Sequence, residues 1–177
     1  GICSGDVVPW YIRKKAPLVF GHEPVGEIVE VGEGVTAFRP GDRVFVHHHA
    51  PCFQCRACAR GEFVQCPTWK QSHLDPGGMA EYFRVPAVNL AGDTLRLPAH
   101  VSDADGALVE PLACVVKSLD RAGRVDGANV LVIGLGVMGQ LHVVLARHLG
   151  AARLLAADLV AGRCAVAERL GADVTID

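Results

Sequence analysis

Residues Asn129–Asp158 read NVLVIGLGVMGQLHVVLARHLGAARLLAAD, and this stretch decides the fold. Val130–Ile133 predicts a buried strand, because four consecutive apolar residues bounded by glycine fit a sheet interior. Gly134-Leu135-Gly136-Val137-Met138-Gly139 follows as a glycine turn, and Val137–Leu149 carries helical periodicity until Gly150. Further on, Leu154–Ala157 predicts a strand, Arg163–Leu170 a helix stopped by Gly171, and Val174–Ile176 a third strand. The βαβαβ order predicts an α/β class and the first half of a Rossmann doubly wound parallel sheet. Gly-x-Gly-x-x-Gly between a strand and a helix lets the backbone approach a pyrophosphate at the helix N-terminus. Asp158 ends the second strand 19 residues past Gly139. A carboxylate there accepts from a ribose 2′-hydroxyl and repels a 2′-phosphate, so NAD is expected over NADP. Gly134, Gly136, Val137, Met138, Gly139, Asp158 and Arg163 are the expected cofactor contacts. Arg163 reads as too far along to rescue NADP binding, and the plain alternative for Asp158 is a solvated strand end.

Upstream the pattern changes. Val25–Val31 (VGEIVEV), Arg43–His47 (RVFVH) and Ala80–Val85 (AEYFRV) read as strands. Gly32-Glu33-Gly34, Pro40-Gly41-Asp42, Gly77-Gly78 and Pro86 punctuate them, which suggests a small barrel-like domain. Ser102 with Asp103 and Asp105 makes a helix start, and Leu108, Leu112, Val115, Val116 and Leu119 recur at helical spacing up to Gly123. Pro111 interrupts that run. It reads as the first residue of a second helical segment and is expected to leave Glu110 at a helix break. The expected domains are 1–112 and 113–177, with a cysteine lobe at about 50–67.

Seven cysteines stand at positions 3, 52, 55, 58, 66, 114 and 164. The number is odd and no secretory segment opens the chain, so a disulfide framework is disfavoured. Cys52-x2-Cys55-x2-Cys58-x7-Cys66 has the spacing of a structural zinc site, where four thiolates close the tetrahedron and leave no open position. An aperiodic polar loop of this kind has little else to hold it together. Arg56 and Arg60 offset the charge of the filled lobe.

The remaining properties narrow the class. Seventeen Lys+Arg against nineteen Asp+Glu give a net charge of −2, which provides no electrostatic footprint for nucleic acid or an anionic membrane. Apolar runs of four or five residues fall far short of the roughly 20 needed to span a bilayer. Gly1-Ile2-Cys3 and Asp173–Asp177 read as interior sequence, so the chain is expected to continue at both ends.

Cys3, His22-Glu23 and Glu110 are far apart, and each alone is a weak signal. Together with the other motifs they carry a resemblance. Gly1-Ile2-Cys3, Gly21-His22-Glu23-Pro24-Val25-Gly26, Gly41-Asp42-Arg43-Val44, the four-cysteine lobe, Gly77-Gly78-Met79-Ala80-Glu81-Tyr82, Glu110-Pro111-Leu112 and the glycine turn occur in one order. The chain resembles the zinc-dependent medium-chain alcohol dehydrogenase family, most of all its sorbitol/threonine (polyol) branch. The resemblance implies a GroES-like catalytic domain before the Rossmann half. It implies that Cys3 and His22 hold a catalytic zinc with a carboxylate, and both Glu23 and Glu110 remain eligible as the direct ligand. Either choice balances the charge: Zn²⁺, one thiolate, one carboxylate and a neutral imidazole sum to zero. Two zinc ions per full-length chain, NAD, a small alcohol or polyol substrate, cytoplasmic location and a homo-oligomer (dimer or tetramer) are further implications. The zinc acts as a Lewis acid that lowers the pKa of the substrate hydroxyl.

Two departures bear on chemistry. The family carries Ser or Thr two residues after the first zinc cysteine as proton relay, whereas here Ser4 is one position early and Gly5 holds the usual place. Ser4 or water is left for that role. Polyol members often read His-Tyr-Trp where this chain has Val8-Pro9-Trp10, which puts sorbitol itself in doubt. His47, His48 and His49 read either as a partly exposed strand end or, for His48, as a wall of the substrate pocket. The competing readings are a glucose or threonine dehydrogenase, or a non-catalytic zinc-binding module. Residues 1–177 alone are expected to be inactive.

Overall fold

Strand pairing differs between the two parts of the chain, antiparallel up to Arg96 and parallel from Asn129 onward. The computed structural model describes residues 1–177, which form two units, Gly1–Glu110 and Pro111–Asp177.

The first unit contains α1 (Pro9–Lys15), β1 (Val25–Glu27), β2 (Arg43–Val46), α2 (Arg56–Ala59), α3 (Pro67–Gln71), α4 (Ala87–Gly92), β3 (Thr94–Arg96) and α5 (Asp103–Gly106). The sheet order is β1-β2-β3, with Val25 opposite Phe45 and Val44 opposite Arg96. β2 is central, and its Val44, Phe45 and Val46 are all buried, as a strand covered on both faces requires. Val44, Val46 and Leu74 form the core, with Ile28, Phe38, Phe83 and Val85 packed on it. Each fully buried side chain of this kind stabilises by about 1.5–3 kcal/mol.

Three expectations are corrected in this unit and at its end. The strand expected over Val25–Val31 stops at Glu27, because the next residue pairs only through the turn, with Ile28 donating to Asp42 O and accepting from Gly41. Ala80–Val85 forms a single bridge, Arg84 to Asp75, rather than a strand. Pro76 and Pro86 flank that bridge and have no N–H to extend the ladder. Glu110 does not sit at a helix break. It lies in the first turn of α6 (Val109–Ala122), and the interruption comes earlier, at Ala107–Leu108. Pro111 is tolerated because the first N–H groups of a helix have no intrahelical acceptor.

The second unit continues α6 and adds β4 (Asn129–Ile133), α7 (Val137–His148), β5 (Arg153–Ala157), α8 (Ala161–Arg169) and β6 (Val174–Ile176). β4, β5 and β6 are parallel and adjacent in that order, with Leu131 opposite Leu155 and Leu155 opposite Val174. Val115, Leu135, Val143, Ala146, Leu154 and Ala156 build its core. Arg147, in the last turn of α7 where a cation suits the helix dipole, donates to Gly171 O at 2.9 Å and pairs with Asp173 at 2.7 Å. That contact ties the helix end to the turn before β6. No helix is long and apolar enough to cross a membrane.

Candidate functional site

The four lobe thiols converge. Cys52, Cys55, Cys58 and Cys66 bring their sulfurs within 4.8 Å of one another, with Cys55–Cys58 and Cys66–Cys52 at 3.6 Å. A tetrahedron with metal–sulfur bonds of ~2.3 Å has edges of ~3.8 Å, so the set fits zinc. Short α2 and the turn before α3 aim the sulfurs: Cys55 precedes α2, Cys58 lies within it, and Cys66 caps α3. Burial pushes the Cys58 thiol up to about 12, and hydrogen bonds with its neighbours add to this. Burial also works against ionising Cys66, yet the N–H groups of Cys52 and Trp69 outweigh it and hold the thiol at about 6.

A second set converges at Cys3, His22 and Glu23, whose ligand atoms also lie within 4.8 Å of one another. Cys3 caps a 3₁₀ turn, Ser4–Val7, in a reciprocal box. Its sulfur accepts the Gly5 N–H at 3.4 Å, and its own N–H donates to Asp6 Oδ2 at 3.1 Å. Asp6 Oδ1 in turn lies 3.4 Å from His22 Nδ1, and the Asp6 side chain is 5% exposed. A carboxylate on one ring nitrogen fixes the tautomer and leaves Nε2 free to ligate. Glu23 is buried, its Oε1 4.0 Å from His22 Nε2. Thiolate, imidazole and carboxylate with an aligned ring form a donor set that suits zinc. Glu110 is outside this set; its carboxylate acts on His47, whose Nδ1 lies 3.2 Å from Asp93. Ser4 opens the 3₁₀ turn on the exposed side.

Beside His22 lies a cavity of about 830 Å³ that includes His48 and His49 in its wall. The His48 ring is 5.1 Å from that of His22 and 4.0 Å from that of His49. His49 Nδ1 bonds Ser72 O, and its ring packs on Trp69 at 4.4 Å. His48 Nδ1 is buried without a partner, and burial, followed by the charges of His49 and His47, pushes its pKa down to about 2. His48 and His49 are therefore packed into the cavity wall.

At the glycine turn, Gly134 takes φ +89°, and a Cβ on Gly139 would meet Gly134 O at 1.9 Å. Only glycine permits that helix–strand approach. A Cβ on Gly136, which caps α7 ahead of Val137 and Met138, would meet nothing within 4 Å. The open space at this helix N-terminus fits a pyrophosphate. Asp158 is not a solvated strand end: its side chain is 7% exposed and accepts from Leu135 N–H at 2.7 Å and Val160 N–H at 2.8 Å. Those two donors hold its carboxyl below the usual range. Arg163 lies in the first turn of α8, which starts at Ala161, and its guanidinium reaches Asp158 at 3.3 Å. Gln140 adds a contact not foreseen from sequence: its Nε2 donates to Leu135 O at 3.1 Å and Arg163 O at 2.9 Å. Asp6 was equally unassigned as a partner of His22, although Cys3-x-x-Asp6 is the spacing of a capping box.

An antiparallel GroES-like unit carrying a four-thiol lobe, joined to the first half of a Rossmann sheet, defines the class of zinc alcohol dehydrogenases. Residues 1–96 match the family model described as alcohol dehydrogenase GroES-like domain, and the chain belongs to that family. It is 36% identical over 184 residues to sorbitol dehydrogenase of Gallus gallus, covering 99% of this chain and 51% of that one. It superimposes on alcohol dehydrogenase TADH from Thermus sp. ATN1 with a TM-score of 0.82 at 31% identity, covering 100% of this chain and 53% of that one. A solved structure from Sinorhizobium meliloti 1021 bound to NADP matches with a TM-score of 0.80 at 32% identity, covering 92% and 47%. The chain spans about half the length of the curated relatives it matches.

Proposed function

We propose that the whole protein is a zinc-dependent oxidoreductase that interconverts a secondary alcohol or polyol and its carbonyl with NAD(H). The convergence of Cys3, His22 and Glu23 beside a cavity carries this reading. Zinc held there would supply Lewis acidity at the substrate oxygen, and bound NAD would supply the hydride acceptor. Cys3, His22 and Glu23 would hold the ion, and Asp6 keeps the His22 ring turned toward it. Glu110 stays a candidate for an exchanging or outer carboxylate. Neutral His48 both donates and accepts, which suits a hydroxyl-rich substrate, and Ser4 Oγ is the candidate proton relay next to Cys3. Gly134, Gly136 and Gly139 admit the pyrophosphate, and Asp158 selects the unphosphorylated ribose while pinning the loop through Leu135. A close structural match holds NADP, so the choice of NAD rests on Asp158 of this chain.

The four lobe cysteines hold a structural zinc, which requires that they stay reduced, and this supports a cytoplasmic location. Homo-oligomeric assembly is part of the same reading and is carried by the resemblance. Relatives named for sorbitol favour a polyol over a simple alcohol. The test is NADH formation by the full-length, zinc-loaded protein across a panel of alcohols and polyols. Turnover that disappears on chelation and returns with zinc is the expected result, and a panel with no oxidised member defeats the reading.

A further inference from the structure

The cavity beside His22 carries a charge imbalance. Two lysines, Lys15 and Lys70, line it together with two carboxylates, Asp6 and Asp75. Both carboxylates are already engaged. Asp6 holds His22 and the Cys3 N–H, and Asp75 pairs with Arg84 at 2.8 Å. Neither lysine is paired with a carboxylate. Lys70 Nζ donates to the neutral Gln65 side chain at 3.2 Å, and Lys15 Nζ stands 5.7 Å from the Tyr11 ring centroid. The other polar side chains of the wall are uncharged or imidazole: Tyr11, Ser72, His22, His48, His49 and His73. The cavity therefore presents two unpaired ammonium groups against one carboxylate, Asp6, whose oxygens are taken up by His22 and the Cys3 N–H. Two ammonium groups lining one cavity raise its potential and concentrate anions from solution.

We propose that the substrate is an anionic polyol, a hydroxyl-rich molecule whose phosphate monoester or carboxylate is taken by Lys15 and Lys70 while its reacting hydroxyl lies at the Cys3–His22–Glu23 end. This rests on the dehydrogenase reading above and adds the substrate class. The cavity volume of about 830 Å³ is within the roughly 300–1,000 Å³ of small-molecule sites. Both lysines are exposed, so their charges are screened. Two such contacts together favour the anionic substrate roughly 2- to 30-fold.

The test uses full-length, zinc-loaded protein and compares neutral pentitols and hexitols with their phosphate monoesters and with the corresponding aldonates. At least one anionic member is expected to exceed its neutral parent in kcat/KM by roughly 2- to 30-fold, with the advantage shrinking as salt rises. The phosphate and carboxylate arms identify which anion is taken. The advantage should collapse in the double variant Lys15→Met/Lys70→Met and persist in Lys15→Arg/Lys70→Arg, which a purely structural role of the lysines does not explain. Calorimetric binding of inorganic phosphate to the zinc-loaded protein reads the same site without turnover, and it too should be lost in the Met pair. A neutral polyol used as well as every anionic one overturns the proposal and leaves the dehydrogenase reading standing. If no alcohol is oxidised, the dehydrogenase reading fails and phosphate binding decides: loss in the Met pair upholds the anion site, while absent or unaltered binding overturns it.

Discussion

Asp6 and His22 form a carboxylate–imidazole pair, Oδ1 to Nδ1 at 3.4 Å, and the same carboxylate accepts the Cys3 N–H through Oδ2 at 3.1 Å. One buried side chain thus fixes the direction of two prospective metal ligands. It makes Cys3 and His22, nineteen positions apart, a single mechanical unit.

Replacing Asp6 should therefore act on the metal and not on the fold core. Asp6→Asn is expected to weaken zinc at the Cys3–His22–Glu23 set by about 10- to 100-fold, with the lobe zinc unaffected. Zinc content after dialysis against graded chelator checks this, and two equally retained zinc ions contradict it.

His22→Ala is expected to reduce the full-length protein from two zinc ions per chain to one and to abolish alcohol oxidation. Metal analysis combined with thermal unfolding separates this from collapse of the protein. A variant that keeps two zinc ions removes His22 from the ligand set.

Cys55→Ser tests the lobe. With 3.6 Å between the Cys55 and Cys58 sulfurs, loss of one thiolate opens the tetrahedron. The melting temperature or the oligomer should fall, while surviving folded protein retains much of its turnover. A stable, fully assembled but inactive variant would mean that the lobe takes part in the chemistry.

Asp158 has two tasks, holding Leu135 N–H at 2.7 Å and selecting the ribose. Asp158→Ala should loosen the loop for both cofactors, so the ratio of kcat/KM for NAD to that for NADP is the sharper observable. Loss of a charge-assisted bond to the 2′-hydroxyl corresponds to a fall of roughly 10- to 150-fold for NAD, and removing the charge lifts the repulsion on NADP. An unmoved ratio would assign Asp158 to the loop alone.

Asp173 gives a pH prediction. Its carboxylate accepts from Leu154 N–H at 2.6 Å and pairs with Arg147 at 2.7 Å, and these hold its pKa below the ordinary 3.8. A group with a depressed folded pKa stabilises fully above its unfolded value and loses that contribution as pH falls through the folded one. Asp173→Asn should lower the urea midpoint at neutral pH, and the difference from wild type should shrink below the ordinary carboxylate range. An equal difference at about pH 2 would show that the effect is not ionic.

The second unit was legible because its signals are local. A glycine turn between an apolar run and a helical period needs no distant partner to be read, and β4 to β6 fall within a residue of their expected bounds. The first unit was less legible. Its strands depend on partners far along the chain, and Pro76 and Pro86 cut short the strand expected over Ala80–Val85.

Residue spacing alone determined the glycine turn, the acidic strand end and the four-cysteine set, since each lies within one loop or one βαβ step. Only the tertiary structure decided the rest. It brought Cys3 to His22 and Glu23 and turned Asp6 onto His22. It gathered Lys15 and Lys70 in one cavity and folded Arg163 back to Asp158. The physical reason is that ligand convergence and charge balance depend on distances across the fold, and chain order does not encode those distances until the backbone has closed its long loops.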